Sequence, residues 1–292
     1  FEVHQVTASD TYCNHISRAV TSLGLKTLAF EENDWTVGAY TRFQEQLPVT
    51  WMPFQKVIEG FREQKEEAEI AIMRKAQAIT DAAFSQVISV IHPGMTEKEL
   101  MAQLISCLYQ NGADGLSFAP IVVSGPNTSL PHGVPGDRKL QAGDFVTMDF
   151  GCIVDGYCSD MTRTVALEYA TEEMERVYYT VLKAQKAAIA QSRAGMTGQQ
   201  IDAIARNIIK EAGYGEYFGH SYGHSLGLEI HENPNCSPSN KVPIPVGAVC
   251  SAEPGIYLPG KYGVRIEDVV IFRENNVENI TKSPKELCIL SS

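Results

Sequence analysis

The sequence repeats itself once, and that repeat limits the fold more than any other feature. Gly94-Met95-Thr96 stands between two helix-like stretches, and Gly112 ends the second. Gly195-Met196-Thr197 stands between two more, ended by Gly213, with every position displaced by 101 residues. A strand-like segment recurs too. Gly143 to Asp149 (GDFVTMD) parallels Gly247 to Glu253 (GAVCSAE), displaced by 104, and each runs six residues from a glycine to an acid. Two copies do not build a solenoid, which needs at least three stacked units. They predict two halves related by a pseudo-twofold axis, with Asp149 and Glu253 at equivalent places facing a shared centre.

Each copy then turns and comes back. Asp155-Gly156 supplies turn chemistry, and Met161 to Leu167 resumes a strand pattern just after Asp160. Beyond Glu253 a Pro- and Gly-rich turn leads into a returning strand with Glu267. Each half therefore offers two carboxylates inside apolar strands. A buried ionised carboxylate without a partner is costly, and two forced together repel. A divalent cation resolves both problems. The segment between the acids supplies nitrogen: His220, His224 and His231 fall within twelve positions of a glycine-rich stretch. His132 lies in a loop between strand candidates, where catalytic side chains often project. One neutral imidazole can ligate a metal, and others can move protons near neutral pH. Such an oxygen-rich, thiol-free set suits Mn²⁺, Co²⁺, Zn²⁺ or Fe²⁺. Four carboxylates carry too much charge for one ion. Two ions, about 3.5 Å apart and bridged by carboxylates, balance it and supply the machinery of hydrolases. Cys152 and Cys158 lie near the first acid pair but read as hairpin packing.

The remaining text sets the frame. Residues 1–60 read as part of a smaller α/β domain: a helix over Tyr12 to Leu25, a strand over Lys26 to Phe30 and a second helix ending at Leu47. A boundary falls between Glu59 and Gln64, so residues 61–292 form the larger domain. A long helix over Lys65 to Ile91 follows, with Ile72, Ala76, Ile79, Ala83, Val87 and Val90 on one face. Thr96 and Glu99 make a capping box for the next helix. A formal net charge of −11 argues against a nucleic-acid partner. No apolar run reaches a membrane span, and the N-terminus lacks signal-peptide features. Seven scattered cysteines favour reduced thiols and a cytoplasmic location. No HExxH, Walker, GxSxG or GxGxxG motif is present, so rival reaction classes lack their usual parts.

Six segments now stand in order: Leu130-Pro-His-Gly133, Met148-Asp-Phe-Gly151, Ser159-Asp-Met-Thr-Arg-Thr164, Gly223 to Glu232, Glu253-Pro-Gly255 and Val264-Arg-Ile-Glu-Asp268. Together they closely resemble the pita-bread metallopeptidases, most of all the Xaa-Pro aminopeptidase and prolidase (Xaa-Pro dipeptidase) branch. The resemblance covers residue 65 to the end, with residues 1–60 similar to the later part of a creatinase-like N-terminal domain. It implies an α+β pita-bread fold and two divalent metal ions, Mn²⁺ foremost, held by Asp149, Asp160, His224, Glu253 and Glu267. It implies that His132, His220 and His231 line the substrate cleft, that Glu253 helps deprotonate water, and that Arg265 and Thr162 stand behind the ligands or touch substrate. It implies a homodimer acting on peptides with proline at the second position, as an aminopeptidase first and a dipeptidase as the alternative. Metal-free creatinase-like hydrolases and non-catalytic binding modules share the fold. The metal-competent residues at all five ligand positions disfavour both.

Overall fold

The structure is a computed structural model that describes residues 2–54 and 56–291. It divides into two compact units, Phe1–Gly60 and Phe61–Ser292. In the first, helix α1 (Tyr12–Leu23) leads to strand β1 (Thr27–Phe30), helix α2 (Val37–Gln46) and strand β2 (Thr50–Pro53), and β1 pairs with β2 in parallel. Thr11 and Thr36 cap the two helices by accepting from Asn14 and Ala39 N–H. With so little chain the packing is mostly aromatic: Phe30 stacks on Tyr40, and Phe30, Trp35, Phe43 and Trp51 meet in tilted and edge-on pairs. A short helix, α3 (Val57–Arg62), follows.

The second unit shows the repeat in three dimensions. Helices α4 (Glu67–Val87) and α5 (Glu97–Gln110) precede β3 (Gly115–Leu116), β4 (Ile121–Ser124), β5 (Phe145–Phe150), β6 (Cys152–Val154), β7 (Tyr157–Cys158) and β8 (Met161–Leu167). Helices α6 (Glu172–Gln191) and α7 (Gly198–Glu211) precede β9 (Gly223–Ser225), β10 (Glu232–Cys236), β11 (Val249–Ala252), β12 (Gly255–Leu258), β13 (Tyr262–Arg265) and β14 (Asp268–Phe272). Strands β15 (Val277–Asn279) and β16 (Ile289–Leu290) complete the unit. Of the four sheets among its described residues, one runs β16-β8-β5-β4 and another β10-β9-β11-β14-β15, so β4, β5 and β8 answer β9, β11 and β14. The core divides the same way. Phe84, Leu104 and Leu108 of α4 and α5 pack with Val146, Met148 and Val165, while Val177, Val181 and Ile201 of α6 and α7 pack with Cys250, Ala252 and Val270.

The two glycine–threonine turns match bond for bond. Gly94 N–H donates to Leu140 O and Leu140 N–H to Met95 O, each at 2.8 Å; Gly195, Ile244 and Met196 make the same pair of bonds at the same length. Gly94 and Gly195 have φ of 90° and 86°, a region in which a side chain is strained, which explains why both copies hold glycine. Thr96 with Glu99 and Thr197 with Gln200 each form a reciprocal capping box. Thr96→Ala and Thr197→Ala should each cost about 1 kcal/mol, a loss that urea denaturation of each variant would measure.

Two local expectations need correction. The buried face of α4 is Ile70, Met73, Ala76, Gln77, Thr80, Ala83, Phe84 and Val87, so Ala76, Ala83 and Val87 are buried as expected, whereas Ile72 and Ile79 are half-buried and Val90 is exposed. A polar residue sits in this face because Thr80 Oγ1 meets Ser159 Oγ at 2.7 Å beneath the hairpin, and the helix ends at Val87, leaving Val90 outside it. The Asp155-Gly156 turn does not join the acid-bearing strands directly. It joins β6 to β7, a small insertion, with φ of 47° and 86° at its two residues. Strands β5 and β8 still pair antiparallel, with Asp149 opposite Thr162.

Candidate metal centre

The acids sit where strands end, and the pairing of strands draws them together. Asp149 lies near the end of β5, and Asp160 stands one residue before β8. In the second half Glu253 follows β11 and Glu267 stands one residue before β14. His224 is the middle residue of β9. A Cβ on Gly223 would lie 2.1 Å from Ser251 O, so the glycine lets β9 approach β11 and brings His224 beside Glu253. Glu267 N–H donates to Thr162 O at 3.1 Å, which stitches the halves at the acids themselves.

The four carboxylates and His224 line one cavity of about 670 Å³. Asp160 and Glu267 are almost fully buried, at 3% and 2% exposed. Donor atoms of Asp160, His224 and Glu267 all lie within 4.8 Å of one another, a spacing that one cation can span. His224 Nδ1 faces Ser225 O at 3.1 Å, and a carbonyl only accepts, so Nδ1 carries the proton and Nε2 presents a lone pair. That lone pair faces Asp160 Oδ2 at 3.6 Å and Glu253 Oε1 at 3.3 Å. Burial pushes the His224 imidazole below its usual range, so a proton is not what relieves this contact.

Burial, and then the neighbouring charges of Glu267, Asp149 and Glu253, hold the Asp160 carboxyl well above the usual range. Glu267 is held well above it by burial and then by Glu253 and Asp149, and Glu253 is raised chiefly by burial. Asp149 Oδ1, Asp160 Oδ1 and Glu267 Oε1 are buried with no hydrogen-bond partner. Three orphaned carboxylate oxygens beside an imidazole lone pair are the donor set of a divalent cation, so these residues fit one.

A single guanidinium at the cavity wall braces the set. Arg265 donates to Asp149 Oδ2 at 2.5 Å, to Thr162 Oγ1 at 2.9 Å, to Tyr257 Oη at 2.8 Å and to Pro131 O at 3.1 Å. Burial alone would lower its pKa; Tyr257, Asp149, Glu253 and Glu267 more than offset that and leave it well above the usual range. Thr162 Oγ1 donates in turn to Glu267 Oε2 at 2.6 Å and does not reach the cavity. Arg265 and Thr162 therefore fix carboxylate oxygens of Asp149 and Glu267 in place, and of the two only Arg265 lines the cavity.

The other three histidines expected at the cleft, His132, His220 and His231, line the cavity. The His231 ring packs edge-on against His224, with centroids 4.4 Å apart. His220 is already engaged: Nδ1 donates to Ser221 O at 2.8 Å, and Nε2, kept neutral by burial, accepts from Tyr257 Oη at 2.9 Å. Tyr257 is a site residue that sequence reasoning missed, although its place four residues after Glu253 on β12 was a usable signal. Ser251 was missed as well. Its hydroxyl accepts from His224 N–H and donates to Glu253 Oε1. Phe118, Ile121 and Ile230 give the cavity an apolar wall. Cys152 and Cys158 do not line it. Burial raises both thiols, that of Cys158 to about 11, which keeps them protonated and poor ligands.

Known proteins share both sequence and structure with this chain. An uncharacterized peptidase of Bacillus subtilis, YqhT, is 42% identical over 272 residues, 93% of this chain and 77% of that protein. The Xaa-Pro dipeptidase of Pyrococcus furiosus is 43% identical over 231 residues, 79% of this chain and 66% of its own length. The crystal structure of an X-Pro aminopeptidase from Thermotoga maritima superposes with a TM-score of 0.94 at 38% identity, covering 99% of this chain and 82% of that one. A profile of metallopeptidase family M24 matches residues 71–274. With a duplicated α/β framework around a carboxylate–imidazole cavity, the chain belongs to metallopeptidase family M24, the pita-bread metallopeptidases.

Proposed function

We propose that this protein is a dinuclear-metal exopeptidase that hydrolyses the bond between an N-terminal residue and a following proline. The observation that carries the reading is the trio of orphaned oxygens, on Asp149, Asp160 and Glu267, in one cavity with His224, where donor atoms of Asp160, His224 and Glu267 lie within 4.8 Å of one another. Asp149, Asp160, His224, Glu253 and Glu267 would hold two divalent ions, Mn²⁺ first and Co²⁺, Zn²⁺ or Fe²⁺ as alternatives. Bound ions supply Lewis acidity and ease the deprotonation of water. The protein's own groups do the rest. Glu253, raised by burial, accepts a proton from the attacking water. His132 and His231 contact the scissile carbonyl and the leaving imino group and return the proton. His220 acts through Tyr257, relaying the orientation that Arg265 imposes. The apolar wall of Phe118, Ile121 and Ile230 suits a pyrrolidine ring, which has no N–H to be recognised.

Residues 61–292 are read as the catalytic domain and residues 1–60 as the creatinase-like accessory domain. A homodimer and a cytoplasmic location complete the reading; the seven free thiols support the second. No helix among the described residues is long and apolar enough to cross a membrane. Xaa-Pro dipeptidase activity is the second reading, favoured by the name of the Pyrococcus relative. Xaa-Pro dipeptides and Xaa-Pro-Yaa tripeptides, assayed with Mn²⁺, Co²⁺ and Zn²⁺ in turn, separate the two. Tripeptides should be cleaved with the higher kcat/KM. A preference for dipeptides would select the prolidase reading, and cleavage of neither would reject both.

A further inference from the structure

Lys65 precedes α4 and is buried, with its side chain only 2% exposed. A buried ammonium needs partners, and Lys65 Nζ finds them on two strands of the second half, while the Lys65 backbone N–H holds the segment that leads into a third. Lys65 N–H donates to Gly247 O at 3.0 Å, at the start of the segment that becomes β11. Lys65 Nζ donates to Ser225 Oγ at 3.2 Å on β9 and to Glu232 Oε2 at 2.9 Å on β10. Each anchor adjoins a site residue. Ser225 follows His224, and its carbonyl accepts the His224 Nδ1 proton. Glu232 follows His231, and β11 runs directly into Glu253. Ser225 Oγ passes the link on by donating to Val249 O at 2.7 Å. The pocket is closed: a Cβ on Gly227 would lie 2.8 Å from Lys65 Cε and 2.7 Å from Glu232 Oε2. Arg62 shares the load on Glu232, donating from Nε at 3.0 Å, but reaches neither Ser225 nor Gly247.

We infer that Lys65 is a positioning residue for the metal centre, a hub that fixes β9, β10 and β11 so that His224, His231 and Glu253 converge. The inference rests on the reading of His224 as a metal ligand. Lys65 lies ahead of residues 71–274, the span matched by the family profile.

The test is Mn²⁺ binding by calorimetry on the full chain, alongside kcat and KM at saturating Mn²⁺. Lys65→Met keeps the aliphatic stem and removes the donor. It should weaken Mn²⁺ binding by about 10- to 100-fold, the range seen when groups behind metal ligands are lost, and lower kcat with little change in KM. Arg62→Met removes a charge from the same carboxylate but spares Ser225, so Mn²⁺ affinity should stay within threefold. If Lys65→Met does not fold, Ser225→Ala removes the hydroxyl that receives Nζ and passes the link on to Val249 O, and should weaken Mn²⁺ by about tenfold. Mn²⁺ affinity within twofold of the parent in folded Lys65→Met or in Ser225→Ala would overturn the inference. So would an equal loss in Arg62→Met. A parent protein that takes up no Mn²⁺ overturns the metal reading itself, and the inference with it.

Discussion

Asp160→Asn should lower Xaa-Pro hydrolysis by about a thousandfold while leaving a folded protein, and the metal-stripped variant should melt at a higher temperature than the metal-stripped parent. The two effects have one cause. Asp160 is 3% exposed, its Oδ1 has no partner, and it faces the charges of Glu267, Asp149 and Glu253. An amide keeps the shape and removes the charge. Without metal this relieves repulsion among buried acids, which stabilises the fold. With metal it removes an anionic ligand, which disables the site. Activity assays and thermal melts on the same preparation measure both, and near-normal turnover would show that Asp160 is no ligand.

The second large effect is a reversal of pH dependence by metal. Asp160, Glu253 and Glu267 all have folded-state pKa values above their unfolded ones. Between the two values the folded state holds more protons than the unfolded chain, so stability falls as pH rises. The metal-stripped protein should therefore lose stability as pH climbs upward from the ordinary carboxylate range of about 4. Bound divalent ions should erase this loss, because they favour the ionised carboxylates, and the stabilisation they add should be larger at pH 8 than at pH 5. Melting curves at several pH values, with chelator and with Mn²⁺, would show it. A metal-stripped protein as stable at pH 8 as at pH 5 would mean that Asp160, Glu253 and Glu267 are not crowded in this way.

Much of this was legible because the chain states its architecture twice. The 101-residue offset of Gly94-Met95-Thr96 marks a backbone geometry that only glycine holds without strain, and it reappears as matched φ values and matched hydrogen bonds. The acids were legible because a charge inside an apolar strand demands a partner. What stayed hidden depends on contacts distant in sequence. Nothing local to Thr80 says that it will be buried against Ser159, so the expected face of α4 kept Ala76, Ala83 and Val87 but missed Thr80 and took in Ile72 and Ile79 instead. Nothing local to Lys65 says that it will reach Ser225 and Glu232, 160 and 167 residues away. Tyr257 is intermediate: its strand was foreseeable, but its bonds to both Arg265 and His220 needed the fold.

The central claim is that the converging carboxylates and His224 hold two divalent ions and that the centre so formed cleaves Xaa-Pro bonds. The most direct measurement is a titration of the metal-stripped protein with Mn²⁺, reading the initial rate of hydrolysis of an Xaa-Pro-Yaa tripeptide against equivalents added. The rate should begin near zero and reach its plateau at two equivalents per chain. Hydrolysis that proceeds at full rate under chelator, or no hydrolysis at any Mn²⁺ ratio, would contradict it.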